Sequence, residues 1–150
     1  MLETEDIALR LGAAACAGVV LGINRDLVDK PMGARTLGLV SVGSALVVVA
    51  TIQFPGVDDS PDAASRVIQG FIQGLMAGIS FIGAGVILRD HARGSISGLT
   101  TASAVWATAA LGIACGLAMW RTVAIALAIV LFLLAVVPWI TDCFSRLRRR

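Results

Sequence analysis

Charge is what this chain has least of: Asp, Glu, Lys and Arg make up 15% of its 150 residues, against about 25% in an average soluble domain. No Asp or Glu stands inside any of its five long apolar runs. A magnesium carrier ordinarily offers carboxylates along the path, because the ion sheds its water reluctantly and prefers oxygen ligands. Their absence weighs against that chemistry, although a path lined by backbone carbonyls needs none. Histidine occurs once, at His91 beside Asp90, in a polar stretch that reads as a solvated loop. The three cysteines, Cys16, Cys115 and Cys143, form neither a C-x-x-C pair nor a metal spacing. Cys16 and Cys115 lie in apolar runs, where a thiol behaves as a small hydrophobe. No G-x-x-x-x-G-K-[ST] occurs, and Gly83-Ala84-Gly85 lies within an apolar run rather than after a cytosolic strand. The chain is therefore expected to be no enzyme, to hold no cofactor and to bind no nucleic acid, and no residue is assigned to a metal.

What is present is apolar: 57% of the residues, with a mean hydropathy of +0.88. Five helices are expected over about 7–23, 36–54, 67–88, 98–119 and 122–140, each near the roughly 20 residues that cross a hydrocarbon core of about 30 Å. A β-barrel would show short segments alternating apolar and polar. Runs such as Ala45-Leu46-Val47-Val48-Val49-Ala50 are apolar all round, so only helices satisfy their backbone groups in lipid. The expectation is an all-α polytopic membrane protein with one transmembrane domain over 1–150 and no C-terminal soluble domain. Glu3, Glu5 and Asp6 stand where a cleaved leader would be basic, so the first run is expected to stay.

Orientation follows from the Lys and Arg of the short loops. Arg25, Lys30 and Arg35 occupy the first loop, Asp58, Asp59 and Asp62 the second, Arg89 and Arg93 the third, Arg121 the fourth, and Arg146, Arg148, Arg149 and Arg150 the tail. This alternation places the amino terminus outside and the carboxyl terminus in the cytoplasm. Arg10, the one basic residue within a run, follows Asp6 by one turn. That is a favourable ion-pair spacing, and the side chain reads as reaching for the outer interface; the alternative is a pairing charge turned into the bundle.

Membrane helices associate through small residues that let backbones approach. Such ridges appear at Ala14, Gly18 and Gly22, at Thr108, Gly112 and Gly116, and most fully on the third helix at Gly70, Gly74 and Gly78, followed by Gly83 and Gly85. Ser41, Ser44 and Thr51 mark the second helix. Gln69 and Gln73 share one face of the third, as interhelical hydrogen-bonders or as the lining of a polar path. The fifth helix, without a polar ridge, is expected at the periphery.

The most informative residues gather at the expected cytoplasmic ends. Part of the pattern is helix punctuation: Asn24 suits a left-handed cap, Pro31 and Gly33 a turn, and Ser97 an N-cap for the fourth helix. Arg25, Asp26 and Arg35 exceed those duties, and read as a network that locks the first hairpin to the start of the fourth helix. Free amides at 98–101 could also hold an anion.

Four ordered blocks resemble the MgtC/SapB family of bacterial inner-membrane proteins. They are Gly22-Ile23-Asn24-Arg25-Asp26; Gly33-Ala34-Arg35-Thr36 with Leu39-Val40; Phe81-Ile82-Gly83-Ala84-Gly85-Val86-Ile87; and Gly98-Leu99-Thr100-Thr101-Ala102 with Trp106. The likeness spans about residues 7 to 120. Asp26 stands where the family usually has Glu, Leu37 where it often has His, and Ser80 where it has Gly. The resemblance implies a multi-pass inner-membrane protein tied to growth at low magnesium and, in pathogens, to virulence inside host cells. It implies regulation of other membrane machinery, including the proton-driven ATP synthase, or magnesium transport. The expected functional network is Asn24, Arg25, Asp26, Arg35, Thr36, Gly98, Thr100 and Thr101. Expected partners are the lipid bilayer, anionic lipids at the cytoplasmic face, another membrane protein and further copies of the chain. The runner-up is a small ion transporter with its site among Asn24, Asp26, Gln69 and Gln73.

Reporter fusions are expected to place residues 55–65 outside, and residues 25–35 and the carboxyl tail inside. A cytoplasmic second loop overturns the five-span topology.

Overall fold

The computed structural model describes residues 2–53, 61–90 and 95–140. Expectations for Asp58, Asp59, His91, Arg93, Cys143 and the terminal arginines fall outside them. Helix α1, Thr4–Asp26, carries Glu5 and Asp6 in its first turn and Arg25 in its last, each sign at the end where the helix dipole favours it. Helix α2 is Ala34–Ile52, α3 Pro61–Val86, α4 Leu99–Gly116 and α5 Trp120–Leu131. A π-helical turn, Phe132–Val136, continues α5 to Ile140. Pro138 cannot donate to the carbonyl four residues earlier, and its ring crowds that carbonyl; the widened turn sits over this stretch. All five helices are long and apolar enough to cross a membrane.

One element departs from the all-helical expectation. Between α3 and α4 a small antiparallel hairpin pairs β1, Leu88–Asp90, with β2, Ser95–Ser97, in the register Leu88 to Ser97. Between α4 and α5 the chain reverses within a few residues: Ala118 takes a left-handed φ of 55°, and Met119 N–H donates to the Ala114 carbonyl at 2.9 Å.

The core is α1, α2 and α4, held by close backbone approach. A Cβ on Gly18 would stand 2.8 Å from Ser41 Cβ and 2.9 Å from Gly38 Cα. One on Gly112 would stand 2.9 Å from Ser44 Cβ, and one on Gly116 2.9 Å from the Ala45 carbonyl oxygen. Thus α2 lies against the ridges of both α1 and α4. Two hydroxyls buried there turn back on their own helices, Ser44 donating to Val40 O at 2.8 Å and Thr108 to Ala104 O at 2.7 Å, whereas Ser41 Oγ is buried without a partner among the described residues.

The glycine ridge of α3 behaves differently from expectation. Gly70, Gly74, Gly78 and Gly85 have nothing within 4 Å of an added Cβ, and only Gly83 meets a neighbour, Ala102 Cβ at 3.6 Å. Instead α3 turns Leu75 and Ile79 inward against Leu21, Leu37, Val105 and Ala109. With Leu75 and Ile79 taking the seat against the triad, Gly70, Gly74, Gly78 and Gly85 pack against nothing among the described residues. Helix α5 has no buried residue and stays peripheral.

In detergent, Gly112→Leu is expected to abolish a cooperative melt or lower it by several degrees, because overpacking costs about 1–3 kcal/mol. Gly74→Leu should melt with the unmodified chain. Equal damage from both would mean that α3 is seated on its glycine face.

Candidate functional site at the helix ends

Where α1 ends and α2 and α4 begin, side chains and backbone termini interlock. Arg25 is 3% exposed. Its Nη2 donates to the Thr101 hydroxyl in the first turn of α4 and, at 3.4 Å, to the Pro31 carbonyl. Thr101 is itself 3% exposed. The link between the first hairpin and the start of α4 is therefore made by Arg25 and Thr101.

Asp26 has another task. Its Oδ2 accepts the backbone N–H of Ala34 at 2.9 Å, one of the donors that a helix start leaves without a partner. The carboxylate also suits the positive end of the α2 dipole. Two glycines make room: a Cβ on Gly33 would strike the Asp26 carboxylate, and one on Gly22 would strike the backbone of Ala34. Arg35 is exposed and forms no ion pair with Asp26; among the described residues the ion pair is Arg10 with Asp6. Of the expected network of Arg25, Asp26 and Arg35, the structure therefore does not pair Asp26 with Arg35, because the orphan amide at the α2 start takes the carboxylate.

The punctuation also shifts. Asn24 lies inside α1, with Oδ1 buried and unpartnered; the left-handed positions are Asp29 and Met32. The N-cap of α4 is Gly98, not Ser97. Gly98 needs to be glycine twice over, for its φ of 89° and because a Cβ would meet the Val86 carbonyl. Thr36 is half-buried and Thr100 exposed.

At the opposite end Arg10 turns into the bundle. Its Nη1 donates to the carbonyl of Gly116, the last residue of α4, at 2.7 Å, while Nη2 meets Asp6 Oδ2 at 2.9 Å. A cation here satisfies a free terminal carbonyl and the negative end of the dipole. The Asp6 spacing was legible in sequence; the Gly116 contact, across 106 residues, had no local signal. Arg25 follows Arg10 by fifteen residues, and Gly116 follows Thr101 by fifteen, so the two contacts join the antiparallel pair α1 and α4 at both ends.

The structure does not bring together the four residues of the transporter reading. Gln69 and Gln73 are exposed on α3, and Gln73 precedes Val86, which touches Gly98, by a rise of roughly 20 Å. Asn24 and Asp26 lie at the Gly98 end. No group of three or more His, Cys, Asp or Glu comes together among the described residues.

Comparison with known proteins identifies the family. The model of the MgtC family matches residues 11–143. The chain belongs to the MgtC family. It is 44% identical over 119 residues to Protein SrpB of Synechococcus elongatus, covering 74% of this chain and 64% of that protein. To Protein SapB of Bacillus subtilis it is 33% identical over 142 residues, 90% of this chain and 58% of the relative. To Protein MgtC of Salmonella typhimurium it is 32% identical over 123 residues, 82% of this chain and 48% of the relative. The chain thus spans about half to two-thirds of the length of these relatives. No solved structure matches it significantly. Five apolar helices and this family make it a multi-pass membrane protein.

Asp26→Ala is expected to cost about 0.5–2 kcal/mol of stability by removing the α2 cap, and Arg35→Gln almost nothing. The double variant should equal the sum. A coupling larger than about 0.5 kcal/mol in thermal or denaturant unfolding would restore the Asp26–Arg35 pair.

Proposed function

We propose that this protein works in the bacterial inner membrane as a regulator of other membrane machinery, an ion transporter or the ATP synthase, through lateral contact and not as an enzyme. The carrying observation is the outward face of α3. Gly70, Gly74 and Gly78 are open, and Gln69 and Gln73 are exposed beside them on a helix of membrane-spanning length. Gln73 stands about 12 Å of helical rise from Ser65, where the apolar span begins. An amide facing hydrocarbon lacks partners, and a neighbouring helix seated on glycine brings donors and acceptors within reach. The adaptation served is growth at low magnesium or under host-cell stress, the role that the resemblance of the four sequence blocks implies. The buried hydroxyls of the core support this reading over a carrier, since each that donates does so to its own helix.

The test uses the full chain with a photo-crosslinking residue at Gly74 or, as control, at Ile125 on α5. Crosslinks to other membrane proteins are expected from Gly74 alone. In liposomes the purified chain should carry neither magnesium nor protons. Magnesium flux by the unmodified protein, lost in Asp26→Asn at equal protein level, would overturn the proposal in favour of transport.

A further inference from the structure

Among the described residues Arg25 is a cation with no anion. It is 3% exposed, and both groups that accept from it, the Thr101 hydroxyl and the Pro31 carbonyl, are neutral. Its Nε is buried and has no partner among the described residues. Asp26, its neighbour in sequence, is committed to the Ala34 amide. Removing a charge from water without compensation is strongly unfavourable, so a guanidinium in this setting calls for a counter-charge.

The surroundings sharpen the demand. Thr101, which Arg25 touches, is in the first turn of α4, an 18-residue helix. The N–H groups of Leu99, Thr100 and Thr101 have no carbonyl within the helix to donate to, and the dipole makes this end positive. A buried cation and a positive helix end thus converge, an arrangement that repels unless an anion stands between them. Lys30 and Arg35 are exposed at this end together with Asp26 and Asp29, so these four surface charges balance and leave the charge of Arg25 over.

We infer that the junction of Arg25 with the start of α4 is an oxyanion site that takes a phosphate group. Phosphate suits this donor set: Arg25 Nη2 is taken by Thr101 and Pro31, but its Nε–H is without a partner among the described residues, and the first-turn amides of α4 add further N–H donors. Because the site lies where spanning helices end, the group can arrive as the phosphodiester of an anionic phospholipid or as free phosphate from solution. The inference is independent of the lateral-contact reading, because it involves neither α3 nor a protein partner.

The experiment takes the full chain, purified in mild detergent, and follows it by native mass spectrometry and thermal shift. The first arm reconstitutes it with phosphatidylglycerol or phosphatidylcholine, and the second titrates inorganic phosphate after delipidation. The expected result is one retained anionic lipid per chain, or a saturable stabilisation by phosphate. Either should weaken roughly tenfold or more in Arg25→Lys, which keeps the charge but loses the Nε–H donor and the planar guanidinium. Thr101→Val tests the same junction without altering charge, should Arg25 variants fold poorly. Arg66→Gln, at the other end of the bundle, serves as the control and should bind as the unmodified chain does. Lipid retention with no phosphate effect assigns the site to headgroups, and the reverse assigns it to a free anion. No retention and no stabilisation in either arm, or equal binding by Arg25→Lys, Thr101→Val and the unmodified chain, overturns the inference.

Discussion

The constraint on which this fold rests is the backbone contact of α2 with α1 on one side and α4 on the other. At Gly18, Gly112 and Gly116 no Cβ fits without displacing backbone or a β-carbon of α2. Inside a bilayer such contacts replace the hydrophobic effect, since a leucine gains nothing by leaving lipid for a leucine-lined interface. What holds the triad is dispersion between closely fitted surfaces, and fit of this kind tolerates no added methyl group. The placing of Arg10 and Arg25, the cap on α2 and the seat for α3 follows from that approach.

Around the triad the remaining elements are graded. Helix α3 gives one stripe of large side chains to the core and keeps its glycines outside; α5 gives only partly buried contacts from Val123, Leu127, Val130 and Leu134. The polar groups divide in the same way. Ser44, Thr51 and Thr108 are satisfied within their helices, whereas Arg10, Arg25 and Asp26 act on the ends of other segments. Polarity inside the spans is thus local, and long-range polar contacts are made at the helix ends.

The five spans were legible in sequence because hydrocarbon thickness and the need for backbone hydrogen bonds leave few alternatives to an apolar run of that length. The ridges of α1 and α4 were legible as well, but not which of three similar ridges would be left without a partner. In lipid the glycine face and the leucine face of α3 are nearly equal in hydrophobicity, so only the three-dimensional fit decides between them. At the helix ends, that Arg25, Asp26 and Thr101 join helix termini could be anticipated from their clustering. Their pairings could not, because Asp26 chose a backbone amide over Arg35, and neither the Ala34 N–H nor the Gly116 carbonyl is marked by residue type. The β1–β2 hairpin gave no signal either, being three residues a side with little alternation.

The equal spacing of the two arginines and of their acceptors has a mechanical consequence. A helix pair fastened at one end can slide; a pair fastened at both, with the same number of turns between the fasteners, is held in register. Displacing α1 along α4 by a single turn, about 5.4 Å, would break the Arg10 and Arg25 contacts together. It would also drive side chains of α2 into glycine gaps that no longer face them. Shear is therefore closed to this core, and motion that answers a partner or a ligand must come from tilting or swinging α3 and α5 against a frame that does not move.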